Sequence, residues 1–148
     1  MRLFFIALIS LLVFACTEQN VPVKKVTVEF KAAGIEPDSL ATPMLIPASG
    51  DTLYVEPEVI ISNSDIDYAS VYNENDKSFI QLQMNEEGTK KLAEYTQSHI
   101  GTRVAVLLDG KLSIAPTIRA ALQDGKAMIT GNFSKKEAEE IARGIMVK

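Results

Sequence analysis

The chain has 148 residues, a formal net charge of −4, 47% hydrophobic residues and 23% charged residues. That is globular composition, and it excludes disordered, collagen-like and coiled-coil chains. One Cys and one His argue against a disulfide framework, a multi-cysteine zinc site or a His-based metal site. The acidic balance argues against nucleic acid as a main partner.

Met1-Arg2 is a short basic start, and Leu3 to Ala15 is apolar apart from Ser10. As a helix this stretch is roughly 20 Å long, against a hydrocarbon core of roughly 30 Å, so it is too short to span a bilayer. It reads as the apolar region of a signal peptide over residues 1–15. Val13-Phe14-Ala15-Cys16, followed by polar Thr17-Glu18-Gln19-Asn20, resembles the bacterial lipobox. That resemblance implies a lipid on Cys16, which becomes the new N-terminus and anchors the chain to a membrane. A secreted chain with a chance Cys and an uncleaved anchor are the alternatives. A lone thiol in an oxidising compartment is otherwise a liability, which favours lipidation. Several acyl chains would make the anchor stable. The expected localisation is the cell envelope, facing the periplasm or cell exterior. Thr17 in place of Asp after the Cys favours the outer membrane in a two-membrane cell.

Residues 16–25 read as a lipidated tether and residues 26–148 as one domain. Val26 to Phe30 alternates and is β-branched, which predicts a strand. Residues 34–50 hold Gly34, Pro37, Pro43, Pro47 and Gly50 and read as loop with a short strand at 44–46. Strands are expected at 52–55, ended by Pro57, and at 59–61. Asn63-Ser64-Asp65 can cap a single helical turn into Tyr68. A strand at 69–73 leads to a turn at 73–76.

The second half is more regular. Residues 79–84 read as a strand. Asn85 is a good N-cap, with Glu86 and Glu87 where the helix dipole favours negative charge. The helix runs to Ser98 with Gly88, Leu92, Tyr95 and His99 on one face, and Gly101 stops it. Val104 to Leu108 is fully apolar, as a central strand would be. Asp109-Gly110 is a strong hairpin signal because both residues tolerate positive φ. A strand returns over 112–115, ended by Pro116. One or two helical turns are expected at 117–122, then a strand at 127–130 closed by Gly131. Ser134 and Glu137 form a capping box. Ala138, Ile141, Ala142 and Ile145 then make an apolar helical stripe.

This order predicts an α+β fold, a largely antiparallel β-sheet with two main helices packed on one face. The step from strand 79–84 through the helix to strand 104–108 is compatible with a right-handed crossover. Charge is uneven. Ala32 to Asp76 holds nine acids and no Lys or Arg, whereas Lys77 to Lys148 holds 11 bases and 8 acids. Such asymmetry can steer a partner, although a solvated acidic surface is the simpler account.

No catalytic motif is present. His99 stands alone near a helix C-terminus, where a dipole-compensating or partly packed residue is expected rather than a ligand or base. Asp65 and Asp67 lack the spacing of a calcium loop. No phosphate loop or dinucleotide fingerprint appears, so no cofactor is expected.

The run Phe79 to Leu92, then Gly101 to Lys111, Ala115-Pro116, Ile129-Thr130-Gly131, and Phe133-Ser134 ahead of Glu137-Ala138 resembles the head subdomain of the first extracytoplasmic domain of SecD/SecDF, the accessory subunit of the Sec protein-export translocon. Asp109, Gly110, Pro116 and Gly131 fall on the family's motif positions, where turn and strand-end roles account for them. The resemblance covers most of residues 50–147. It implies contact with a protein or unfolded polypeptide, with Sec translocon components among the expected partners. The sequence holds none of the family's transmembrane helices, so a non-catalytic binding role is expected and proton-driven movement is not. The alternative is an envelope-assembly or structural lipoprotein that reuses the fold for another partner.

Overall fold

The computed structural model describes residues 22–148; the expected signal peptide, Cys16 and most of the tether lie outside the described residues. The fold is α+β. Among the described residues the strands are β1 (Val28–Gly34), β2 (Thr42–Leu45), β3 (Thr52–Ser62), β4 (Ile66–Glu74), β5 (Lys77–Met84), β6 (Arg103–Leu108), β7 (Lys111–Ile114) and β8 (Lys126–Ile129). The helices are α1 (Glu86–Ser98) and α2 (Lys135–Ile145), with a single 3₁₀ turn at Asn63–Asp65.

The strands form two sheets, where the sequence suggested one. The first has the order β2-β3-β1-β6-β7 and the second β4-β5-β8, and every pairing is antiparallel. The chain passes to the second sheet at the 3₁₀ turn that follows β3, returns to the first through α1, and reaches the second again between β7 and β8. Because β5 and β6 belong to different sheets, α1 is not the crossover of a parallel pair.

One core gathers side chains from both sheets and both helices, including Phe30, Ile61, Ile80, Leu82, Leu92, Val106, Ala138 and Ile145. A second apolar cluster, with Leu53, Val55, Ala105 and Leu107, lies on the other face of the first sheet. Along β6, Val104 and Val106 join the first cluster while Ala105 and Leu107 join the second. Burial on both faces is why β6 reads as an unbroken apolar run. Each fully buried Leu or Ile contributes roughly 1.5–3 kcal/mol.

Four expectations are corrected. β3 is one long strand through Pro57. The proline is tolerated because β2 pairs only with Thr52 to Val55, and the β1 ladder skips from Val59 to Val55. Pro57 therefore sits at an irregularity where no ladder donor is required. Residues 117–122 are not helical: Ile118 N–H donates to Thr102 O, Gly101 N–H to Ile118 O, and Leu122 N–H to Thr96 Oγ1. These groups find partners on α1 and on the α1–β6 connection, leaving none for an i→i+4 turn. The helical turn after Asn63 ends at Asp65, and strand resumes at Ile66. The buried stripe of α1 is Gly88, Leu92 and Thr96, while His99 is exposed. An i, i+4, i+8 line holds the inner face; His99 is the C-cap, beyond the last helical residue Ser98, and so lies past the end of that buried line.

Candidate binding surfaces

Asp109 and Gly110 form the β6–β7 turn with φ of 47° and 74°. The Asp109 carboxylate also reaches the N-terminal segment. Thr27 N–H and Lys24 Nζ donate to it at 2.9 and 3.0 Å, and Asp109 N–H donates back to Thr27 O at 2.9 Å. The Thr27 N–H, then the Lys24 ammonium, hold its pKa below the usual carboxylate value. Asn63 secures the same segment: its Oδ1 accepts from Val28 N–H, and its Nδ2 donates to Val26 O and Ile145 O. The bare Cα of Gly144 lets Lys24 O and Val26 cross the end of α2. The spacing of Asn63 suggested only a cap. Its role as a junction between three elements depends on tertiary contacts that no local pattern carries.

Asp109 and Gly131 line one broad open groove of about 1460 Å³, between residues 22–26, the β6–β7 hairpin and α2. Gly131 has no side chain where the Phe133 ring lies. Pro116 is not part of this groove; its carbonyl accepts from Val104 N–H, which prolongs the ladder beyond β7.

A second open groove, of about 680 Å³, runs between α1 and the first sheet. Its walls carry Glu56 and Glu58 from β3, Lys91 and Glu94 from α1, and Arg103 from β6. Tyr95 stacks on His99 with ring centroids 4.1 Å apart. Burial, then the negative charge of Glu56, pushes the Tyr95 phenol up. At the base of α1, Asp65 is buried. It accepts from Ser62 N–H and Lys91 Nζ, at 2.9 and 2.8 Å. Burial acts to raise its pKa, but these donors outweigh it and hold the carboxyl below its ordinary value. Among the described residues no group of three His, Cys, Asp or Glu side chains is placed to hold a metal.

The third surface escaped the sequence reading. The second sheet packs α2 against one face and leaves the other open. The register places Tyr68 beside Gln83, Ser70 beside Gln81 and Tyr72 beside Phe79, with Met128 beside Gln81 on the far side. Tyr68, Tyr72 and Met128 are 58%, 45% and 46% exposed. Tyr72 and Phe79 meet with ring centroids 6.3 Å apart. The alternation Tyr68-Ala69-Ser70-Val71-Tyr72 puts the even positions on one face, but which face stays open is set by the division of the strands between two sheets.

The comparisons with known proteins agree with this architecture. The family described as SecDF, P1 head subdomain matches residues 39–146. The protein translocase subunit SecD of Rickettsia conorii is 35% identical over 89 residues, covering 60% of this chain and 17% of that protein. The subunit SecDF of Thermus thermophilus is 38% identical over 84 residues, covering 56% of this chain and 11% of that protein. A solved structure of SecDF, described as a membrane component that enhances protein export, superposes with a TM-score of 0.66 and 25% identity. It covers 83% of this chain and 63% of that one. The chain thus spans about a fifth or less of these curated relatives, and no helix among the described residues is long and apolar enough to cross a membrane. With the family matched over most of its length and the fold shared with a solved member, the chain belongs to the SecDF P1 head subdomain family.

Proposed function

We propose that this protein is a non-catalytic module, lipid-anchored through Cys16, that binds unfolded polypeptide outside the cytoplasm beside the Sec export machinery. Residues 16–25 serve as the tether and residues 26–148 as the binding domain. The observation that carries this reading is the match over 39–146 to a family with a solved member described as enhancing protein export. The geometry supports it: the described surfaces are two open grooves and an exposed aromatic sheet face. Open surfaces of this kind suit an extended chain, whereas small substrates call for enclosed pockets with converging polar groups.

Two measurements test the proposal. Cells fed an alkyne-bearing fatty acid should label the protein, and Cys16→Ser should abolish the label and release the chain from membranes. Label retained in Cys16→Ser would remove the anchor from the account. The purified chain should bind chemically unfolded proteins and ignore the same proteins once folded. Equal binding to both forms, or to neither, would refute the polypeptide-binding role.

A further inference from the structure

Among the described residues five strand edges lack a partner strand, and they are not equivalent. β2 is four residues long and carries Pro43. β7 and β8 are also four residues long, and each opens on a Lys. The half of β3 beyond β2 contains Pro57. Short length, Lys and Pro are the usual devices that prevent a strand from accepting another.

β4 has none of these three, and the one irregularity in its ladder, between Ile66 and Tyr68, lies at its first residues and leaves Tyr68 to Glu74 in regular register. It runs nine residues from Ile66 to Glu74, without Pro, Lys or Arg, at the edge of the second sheet. Among the described residues, its backbone hydrogen bonds go only to β5. Its other row of N–H and C=O groups faces outward. Alternate side chains present Tyr68, Ser70 and Tyr72 on the open face, continuous with Phe79 of β5. Asp67, Glu74 and Asp76 lie along or just beyond the strand, at the end of a segment from Ala32 with nine acids and no base.

We infer that β4 is the docking edge for an extended polypeptide segment rich in basic and apolar residues, which joins the second sheet as a fourth strand. Main-chain hydrogen bonds to the free row supply affinity for any extended chain. Tyr68 and Tyr72 cover alternate side chains of the incoming strand, and the carboxylates favour Lys or Arg in it while rejecting acidic segments. This rests on the polypeptide-binding reading above and adds the place, the backbone geometry and the charge of what binds.

The test uses the full chain in detergent and a labelled peptide alternating Val and Lys. Two further probes accompany it: a Val-Glu counterpart, and a Val-Lys peptide with alternate amides N-methylated so that one edge cannot donate. The Val-Lys peptide should bind, with amide exchange slowed at residues 67–73. The Glu peptide, the N-methylated peptide and the Tyr68→Ser/Tyr72→Ser variant should each weaken binding about tenfold or more. Binding with protection in either groove instead would overturn the β4 assignment and leave polypeptide binding intact. No binding of any unfolded chain would overturn both. Protection of β4 in the chain alone that rises with concentration would give the edge to a second copy. Protection that disappears on removing residues 1–21 would give it to the chain's own N-terminal segment.

Discussion

Asp65 shows how one buried side chain can hold two elements in place. It sits at the end of the 3₁₀ turn with 5% of its surface exposed. Its carboxylate accepts Ser62 N–H and the ammonium of Lys91 from α1. Removing it leaves a part-buried N–H without a partner, at about 1–3 kcal/mol for such a group. Asp65→Ala should therefore destabilise the fold by about 2 kcal/mol in urea unfolding, with Asp65→Asn losing less because its amide oxygen still accepts. The carboxyl pKa is lowered on folding from a starting value of 3.8. The folded state then binds the proton less tightly than the unfolded state, so the stabilisation is complete above that value. It is lost as pH falls through the folded pKa. Wild-type stability should drop on acidification below about pH 4 more steeply than that of Asp65→Asn. Parallel acid profiles for the two would show that the contact contributes nothing. Asp109 works differently, because it is exposed and holds the N-terminal segment. Asp109→Ala should speed amide exchange at Thr27. Asp109→Asn, which keeps both the acceptor and a tolerance for positive φ, should restore protection.

At the level of elements, Gly88 sets how closely α1 approaches the 3₁₀ turn. A Cβ there would meet the backbone oxygen of Asp65. In an exposed helix Gly→Ala stabilises by about 1 kcal/mol, but overpacking against backbone costs about 1–3 kcal/mol or more. The clash is with main chain, which yields least, so Gly88→Ala should lower stability by about 2 kcal/mol. A gain in stability would mean that α1 is free to shift. The elements legible in the sequence are those specified by local chemistry. The Asn85 and Ser134 caps accept from Gly88 N–H and Glu137 N–H as their spacing suggested. The Asp109-Gly110 turn has both φ values positive, and so does the Asn75-Asp76 turn between β4 and β5. Three features were not legible because each depends on distant partners. Pro57 continues a strand only because β2 ends beside it. Residues 117–122 stay extended only because Thr102 O and Thr96 Oγ1 accept from Ile118 and Leu122 and Gly101 N–H donates to Ile118 O across the fold. The open face of the second sheet follows from how the strands divide between two sheets, and alternation within β4 alone does not say which sheet it joins.

For the molecule as a whole, β1 is decisive. The family match begins at residue 39, yet β1, at Val28–Gly34, lies between β3 and β6 in the middle of the first sheet. Val28 and Phe30 are buried in the shared core. A fragment of residues 39–148 holds the matched segment but should fail to fold cooperatively by circular dichroism and thermal melting. Cooperative unfolding of that fragment would show that the sheet closes without β1. The same central strand follows directly from the segment clamped by Asp109, Asn63 and Gly144. An anchor at Cys16 would therefore pull on the core of the first sheet through β1. The measurement that tests this account most directly is site-specific photo-crosslinking at Tyr72 in growing cells, followed by identification of the captured proteins. The account predicts a broad set of exported chains together with Sec translocon subunits, and loss of both when export is blocked. Capture of one folded envelope protein, with neither of those, would contradict it and assign the protein to envelope assembly.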